Sequence, residues 1–554
     1  MHSLHKVNAN RWVIAGVVSS LLAASVCVAA PGWSGVQTDV KTRQKAERSL
    51  KDGDFEGAEK MYRAMLAKSA QDHQARLGLS FALLKQRRLQ DAFDHAARVI
   101  TAQPLSARAH ALLGSAVLAS GDFRSSVEEF RTALTLQENE ALAIAGLAMV
   151  DFYENRLDSS IKGLRRALEL DSDEPDYVFN LGQASARSER YREAADSYER
   201  FLLIAPRTDA DRRNRIRGLI DFLRYLGRQS SLYELRSGNT TSIPFESIDG
   251  RPILKVKING GKESLRFVLD TGSGMSVISE ETSKKLGINA VARGGMARAV
   301  GGGGKFEIVY GFLSSLEVGE VKVERVPVYI RRFYDEKDPV DGYLGLAVIS
   351  RFIAVVDYGE NIFTLRRESG SSRKEDSFVF GEGVFSLRRP DLRKETTATP
   401  PPANALEIPV RTTSSGFLSG EVQLEGVDRP LNFIIDTGAS ISVVSEKLVE
   451  QEDLASYIEP TRMRVFGAAG ITEDVKRISL PKVSLGTLAR EQVSAAILDL
   501  ESLNETSGFL QSGILGGNFL RHFRLSFDFQ RGLVRLEPLA KTASTSGVAN
   551  LENR

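Results

Sequence analysis

One cysteine, Cys27, stands in a chain of 554 residues, so no intramolecular disulfide can form. Oxidising compartments permit disulfides without requiring them, and the scarcity does not exclude export. Histidine is almost as rare. Six are scattered along the chain with no Cys-x-x-Cys or His-x-x-x-His spacing, so no metal site is expected. Excess charge is missing too: 73 basic residues against 71 acidic leave a net +2, and no nucleic-acid partner is expected. Gly-x-Ser-x-Gly is absent, and His522 is the only histidine in the β-type C-terminal half, which leaves an activated-serine hydrolase without its parts. What remains, 42% apolar and 26% charged residues, is ordinary globular composition at a length that implies several domains.

At the N-terminus, Lys6 and Arg11 precede an apolar stretch from Trp12 to Ala30, with Ala29 and Ala30 before Pro31-Gly32. Residues 1–30 are therefore expected to be a secretory signal peptide, delivering the chain to the periplasm or the extracellular space. The alternative is an uncleaved membrane anchor, because about nineteen weakly apolar residues nearly suffice to span a bilayer. Cys27 raises lipoprotein processing, although Val26 before it is a poor fit to the small residue such sites prefer.

From about residue 40 to 225 strand-like alternation is absent, and glycine and proline are few. A period of 34 emerges instead. Phe55, Leu89, Phe123, Leu157 and Tyr191 fall in step; so do Ala58, Ala92, Ser126, Ser160 and Ala194, and Ala46, Ser80, Gly114, Ala148 and Gly182. Leu79, Leu113, Leu147 and Leu181 supply the accompanying apolar face, and Pro104 and Pro206 close the second and fifth units. Small residues let two antiparallel helices approach, a large one fills the gap, and proline ends the second helix. The pattern resembles the tetratricopeptide repeat. It implies an all-α solenoid over 39–225, with five units to about 206 and a capping helix over 208–225. Such arrays usually bind a peptide or protein segment on the concave face, so a substrate or protein partner is expected there; a plain spacer is the other reading.

Beyond Ser237-Gly238-Asn239-Thr240-Thr241 short apolar runs alternate with Gly, Asp and Asn turns, which predicts all-β structure. Two units are expected, 242–368 and 405–538, joined by a polar linker over 369–403 and followed by a disordered tail over 539–554. Each unit carries Asp-Thr-Gly behind an apolar run: Leu-Arg-Phe-Val-Leu-Asp270-Thr271-Gly272 and Leu-Asn-Phe-Ile-Ile-Asp436-Thr437-Gly438. Each continues into Ser276-Val277-Ile278-Ser279 or Ser442-Val443-Val444-Ser445. Downstream, Gly342-Tyr343-Leu344-Gly345-Leu346 matches Gly513-Ile514-Leu515-Gly516-Gly517, and Phe352 and Asp357 match Phe523 and Asp528. The halves look like a duplication.

Two carboxyls held close cannot both ionise easily and can keep one proton between them. One can then take a proton from water while the other donates to a carbonyl oxygen, which is what splitting an amide requires. Glycine after Asp-Thr permits the close approach that presents the carboxylate, and a threonine hydroxyl can donate and accept at once.

This pattern resembles the retropepsin-like aspartic proteases, over about 260 residues counting both units. The resemblance implies an aspartic endopeptidase acting on a peptide or protein substrate, without metal or cofactor. Its dyad would be Asp270 and Asp436, with Thr271 and Thr437 bracing the loops and Gly272 and Gly438 allowing close approach. Leu344, Gly345, Leu515 and Gly516 would support the loops from behind. Glycine-rich flaps would have their tips at Gly302 and Gly303 and at Ala468 and Ala469. Two departures stand out: Gly274 opposes Ser440, and Tyr343 is bulkier than Ile514. The dyad is expected within one chain, since a tethered lobe is at high effective concentration; pairing between two chains is the alternative. The rival function is an exported peptide-binding scaffold with non-catalytic lobes.

Overall fold

The computed structural model describes residues 40–298, 305–335, 338–367, 405–467 and 470–539. The expected signal peptide, the linker, the tail beyond Leu539 and all four flap-tip residues, Gly302, Gly303, Ala468 and Ala469, lie outside these. Among the described residues no helix is long and apolar enough to cross a membrane.

Eleven helices fill Val40–Leu226 among the described residues. They alternate as pairs, and the second helix of every pair begins at the residue that marks the 34-residue period: Phe55, Leu89, Phe123, Leu157 and Tyr191. Asp54 and Asp122 cap two of these starts by accepting from backbone amides at Gly57 and Ser125. The small positions are the contact points between helices. Ala46, Ala58, Ala92, Ser126, Ser160 and Ala194 are fully buried, and a Cβ on Gly114 or Gly182 would meet the ring of Phe130 or Tyr198. The last helix, Ala210–Leu226, caps the array with Ile216, Ile220 and Leu223 inward. Curvature brings the two ends together. Lys85 meets Glu174 at 2.7 Å and Asp176 at 2.5 Å, Arg212 meets Asp176 at 2.7 Å, and the Thr208 hydroxyl donates to Gly53 O at 3.4 Å.

The β region starts earlier than the sequence indicates. Glu234–Ser237 is already a strand, ahead of residue 242, and it pairs with the distant strand Val321–Arg331. In the first lobe Leu265–Leu269 lies parallel to Gly342–Leu344, which runs antiparallel to Val277–Ser279. The second lobe repeats this with Leu431–Ile435, Gly513–Leu515 and Ser442–Ser445. In both copies the middle strand threads between the strand entering the Asp-Thr-Gly loop and the strand leaving it. That arrangement fixes the loop from both sides.

The lobes share a sheet. Ile353–Asp357 of the first pairs antiparallel with Phe523–Asp528 of the second, from Ala354 opposite Phe527 to Asp357 opposite Arg524. Outward from that seam, Ile362–Arg366 and Thr240–Pro244 follow on one side, and Leu533–Pro538 and Leu406–Thr412 on the other. One apolar core runs through both lobes across this seam.

The solenoid is fastened to both lobes. Phe509 of the second lobe is fully buried in the helical core, edge-on to Phe123 at 4.9 Å and Tyr153 at 5.1 Å. Arg187 donates to the carbonyls of Thr412, Thr413 and Ser414, and the Leu510 amide to Ala119 O at 2.9 Å. On the first lobe, Phe222 of the capping helix stacks on Tyr310 at 4.3 Å. That helix also lies against the strand Ala292–Arg298, so closely that a Cβ on Gly218 would strike the backbone of Arg293 and Gly294.

Candidate active site

The strand Leu265–Leu269 delivers Asp270, and Leu431–Ile435 delivers Asp436. Both loops hang from the middle strands: the Asp270 amide donates to Leu344 O and the Asp436 amide to Leu515 O, each at 3.0 Å. Leu344 and Leu515 are buried beneath them. Gly345 and Gly516 follow where no side chain fits, since a Cβ would strike the Met275 carbonyl in one lobe and the Ile441 carbonyl in the other.

Across the pseudo-twofold the two threonines grip each other's loops. Thr271 N donates to Thr437 Oγ1 at 3.2 Å, and Thr437 N to Thr271 Oγ1 at 3.0 Å. Each hydroxyl then donates to the carbonyl preceding the opposite aspartate, Thr271 to Ile435 at 2.7 Å and Thr437 to Leu269 at 2.6 Å. Both residues are 0% exposed, so these four bonds form without competition from solvent.

The grip brings Asp270 and Asp436 together within one chain. Their carboxyls are joined by a hydrogen bond, and each rests on the glycine of the opposite loop. A Cβ on Gly272 would land on the Asp436 carboxyl, and one on Gly438 would approach Asp270 Oδ1 to 2.7 Å. Burial, followed by the charge and hydrogen bond of Asp436, holds Asp270 well above the usual carboxylate range. Burial also raises Asp436, but amides at Gly438, Ala439 and Gly272 and the hydrogen bond from Asp270 pull against it. The Gly438 and Ala439 amides donate to Asp436 Oδ1 at 2.8 and 3.2 Å, whereas Asp270 Oδ1 receives one from Gly272 at 2.9 Å. More amide donors reach Asp436 than Asp270, which favours the ionised form more at Asp436.

Two further residues matter that sequence reasoning passed over. Ser276 and Ser442, each 1% exposed, accept from the amides of Gly345 and Gly516 at 3.0 and 3.1 Å. They tie the middle strand's end to the chain leaving the aspartate loop. Their signal was available, because each opens the repeated Ser-Val-apolar-Ser run. The lobes differ in one support: Asn518 accepts from both Ser442 N and Ser442 Oγ at 2.8 Å, and the matching position in the first lobe is Ala347.

Over this centre stand two hairpins, Ala292–Arg298 with Lys305–Val318 and Ile458–Gly467 with Gly470–Leu485. Their expected tips fall outside the described residues. Phe306 and Tyr310 from the first and Met463, Val465 and Phe466 from the second line the same cavity as the two carboxyls. That cavity, about 4600 Å³, continues onto the inner face of the solenoid, reaching Phe81, Arg108 and Tyr177. No group of residues able to hold a metal ion occurs among the described residues. His522 contacts Arg490 at 3.3 Å and is not among the residues lining this cavity.

Such an arrangement defines a class: paired aspartates on mirrored loops, braced by threonines, in a duplicated β fold. A family model described as aspartyl protease matches the chain twice, at residues 254–348 and 420–519. Two tetratricopeptide-repeat models match residues 49–116 and 145–211. The chain therefore holds a tetratricopeptide-repeat array followed by two lobes that each match the aspartyl protease model. Among solved structures it is similar to an aspartic proteinase from Irpex lacteus, at 14% identity over 55% of this chain and 99% of that one, with a TM-score of 0.36. A thermophilic tetratricopeptide-repeat protein of Thermus thermophilus is similar at 19% identity, covering 31% and 94%, with a TM-score of 0.28. The MamA protein of Desulfovibrio magneticus is similar at 18% identity, covering 31% and 97%, with a TM-score of 0.23. No curated protein matches the chain.

Proposed function

We propose that this protein is an exported aspartic endopeptidase, hydrolysing peptide bonds with a water activated between Asp436 and Asp270. The observation that carries the reading is geometric: two half-buried carboxyls in hydrogen-bond contact, each resting on the glycine of the opposite loop, with unequal numbers of amide donors. Asp436, the better supplied with donors, is the base that takes a proton from water. Asp270 carries the proton that goes to the substrate carbonyl oxygen, and the tetrahedral diol that results collapses as the amine nitrogen is protonated. No covalent enzyme intermediate is required. Thr271 and Thr437 keep the two carboxyls close enough to share the proton, and Gly272 and Gly438 leave room for it.

The helical repeats recruit the substrate or a protein partner in this reading. What supports it is the continuity of the cavity from the dyad to the solenoid's inner face. Export rests on the charged and apolar pattern of residues 1–30. The test is cleavage of an unstructured protein such as reduced, alkylated casein across acidic to neutral pH. Asp270→Asn and Asp436→Asn are each expected to lower the rate by at least about a thousandfold, as removal of one member of a catalytic unit does. Undiminished cleavage in either variant overturns the shared dyad, and no cleavage by the parent chain on any substrate favours the binding scaffold.

A further inference from the structure

Strand register assigns each residue of one lobe a counterpart in the other, and around the dyad the counterparts differ in kind. Ser279 stands opposite Arg331 in the first lobe, where Ser445 stands opposite Leu498 in the second. Ile253 is opposite Val268 and Ser419 opposite Ile434, which makes Arg251 the counterpart of Phe417. Tyr343 is the counterpart of Ile514 through the middle strands. All six line the cavity that holds the carboxyls. The second lobe therefore offers Phe417, Leu498 and Ile514, which pack in one apolar cluster. The first offers two guanidinium groups and a phenol.

These cations are unusually placed. Arg251 is 9% exposed, and its Nη2 reaches Asp335 at 3.5 Å while its Nε is buried without a hydrogen-bond partner. Arg331 is half-buried, its guanidinium 5.5 Å from the Phe306 ring centroid, and its Nε is likewise buried and unpartnered. Among the described residues Arg331 has no ion pair. Phe333 packs edge-on against Tyr343 at 5.0 Å and closes the side of this region. Burial lowers the Arg331 pKa, with Tyr343, Asp270 and Tyr334 pulling the other way. A buried donor left unsatisfied is costly, and a carboxylate from a bound chain is one group that would complete it.

We propose that the cleft is electrostatically two-faced: on the Asp270 side Arg331, backed by Arg251, receives an acidic side chain of the substrate, and on the Asp436 side Phe417, Leu498 and Ile514 receive an apolar one. The preferred peptide then carries aspartate or glutamate on one side of the scissile bond and a bulky apolar residue on the other. This rests on the peptidase reading for its role in catalysis, but the subsite can be measured without turnover.

The experiment uses the full chain carrying Asp436→Asn and fluorescein-labelled decapeptides of alanine with a central leucine. A single glutamate is walked through the other positions, each with its glutamine isostere as control, and binding is read by fluorescence anisotropy at mildly acidic pH. At one position glutamate is expected to bind at least about tenfold tighter than glutamine, with the difference shrinking as salt is raised. Arg331→Met in the same background should abolish that preference, and Arg331→Lys should keep part of it. Equal binding of glutamate and glutamine peptides at every position overturns the proposal; so does a preference that survives Arg331→Met, or no binding by any peptide. Cleavage of the same peptides by the parent chain separates the two readings. Acid preference without cleavage leaves the subsite and removes the peptidase, whereas cleavage without acid preference does the reverse.

Discussion

Replacing Thr437 by valine is the sharpest perturbation of the site, because it keeps shape and removes one oxygen. That oxygen makes two bonds to the other lobe: it donates to Leu269 O at 2.6 Å and accepts from Thr271 N at 3.2 Å. Thr437 is 0% exposed, so water cannot take over either bond. Each buried group left unsatisfied costs roughly 1–3 kcal/mol, and two of them put the local penalty at about 2–6 kcal/mol. At about 1.4 kcal/mol per factor of ten, even the lower bound speeds local opening about 30-fold. Thr437→Ser keeps both bonds and loses one methyl, a change of about 1 kcal/mol. Deuterium exchange followed by mass spectrometry on peptides covering 265–272 reads the effect in the lobe that was not mutated. The valine variant should exchange the Thr271 amide at least about 30-fold faster than the parent chain, with the serine variant close to the parent. Unchanged exchange in 265–272 would refute the cross-lobe grip as a source of rigidity.

Two other outcomes follow from the same geometry. Asp270 is raised by burial and by Asp436, so folding favours its protonated form; that contribution is intact below the ordinary aspartate range near about 3.9 and is lost as pH rises through the raised value. Asp270→Asn should therefore melt higher than the parent chain at about pH 8 and lose its advantage in strong acid, and calorimetry showing equal melting at about pH 8 would contradict the assignment. Phe509→Ala removes the ring lodged between Phe123 and Tyr153 at about 3–5 kcal/mol, and should free the solenoid from the second lobe, seen as a larger radius of gyration by X-ray scattering.

The helical array was readable in the sequence because helix packing needs a small residue at each crossing, and crossings recur with the repeat. Ala58, Ala92, Ser126, Ser160 and Ala194 record that need directly. Both aspartate loops were readable for a similar reason: Gly345 and Gly516 sit where backbone leaves no room, so each copy keeps a glycine behind its Asp-Thr-Gly loop. The strand Glu234–Ser237 was not readable, since its partner lies in Val321–Arg331 and nothing local distinguishes it from a turn. Nor was the mooring of the solenoid. Phe509 is one aromatic in a loop of the second lobe, and its burial depends on a pocket built by helices far ahead in the chain. The contrast of Arg331 with Leu498 was hidden differently: both residues are plain in the sequence, but only strand register makes them counterparts.

The shared sheet imposes an order of events on a chain made from one end. Ile353–Asp357 is complete early, but the strand that covers its free side, Phe523–Asp528, arrives roughly 170 residues later. At ~5–20 residues per second that wait is on the order of 10–30 s of synthesis. Translocation through a membrane, N-terminus first, would preserve the same sequence. For that interval the first lobe holds an open strand edge, the usual template for pairing with the wrong chain. The duplicated β region is thus a late-closing structure, and its most vulnerable moment falls before its second aspartate has a lobe to stand in.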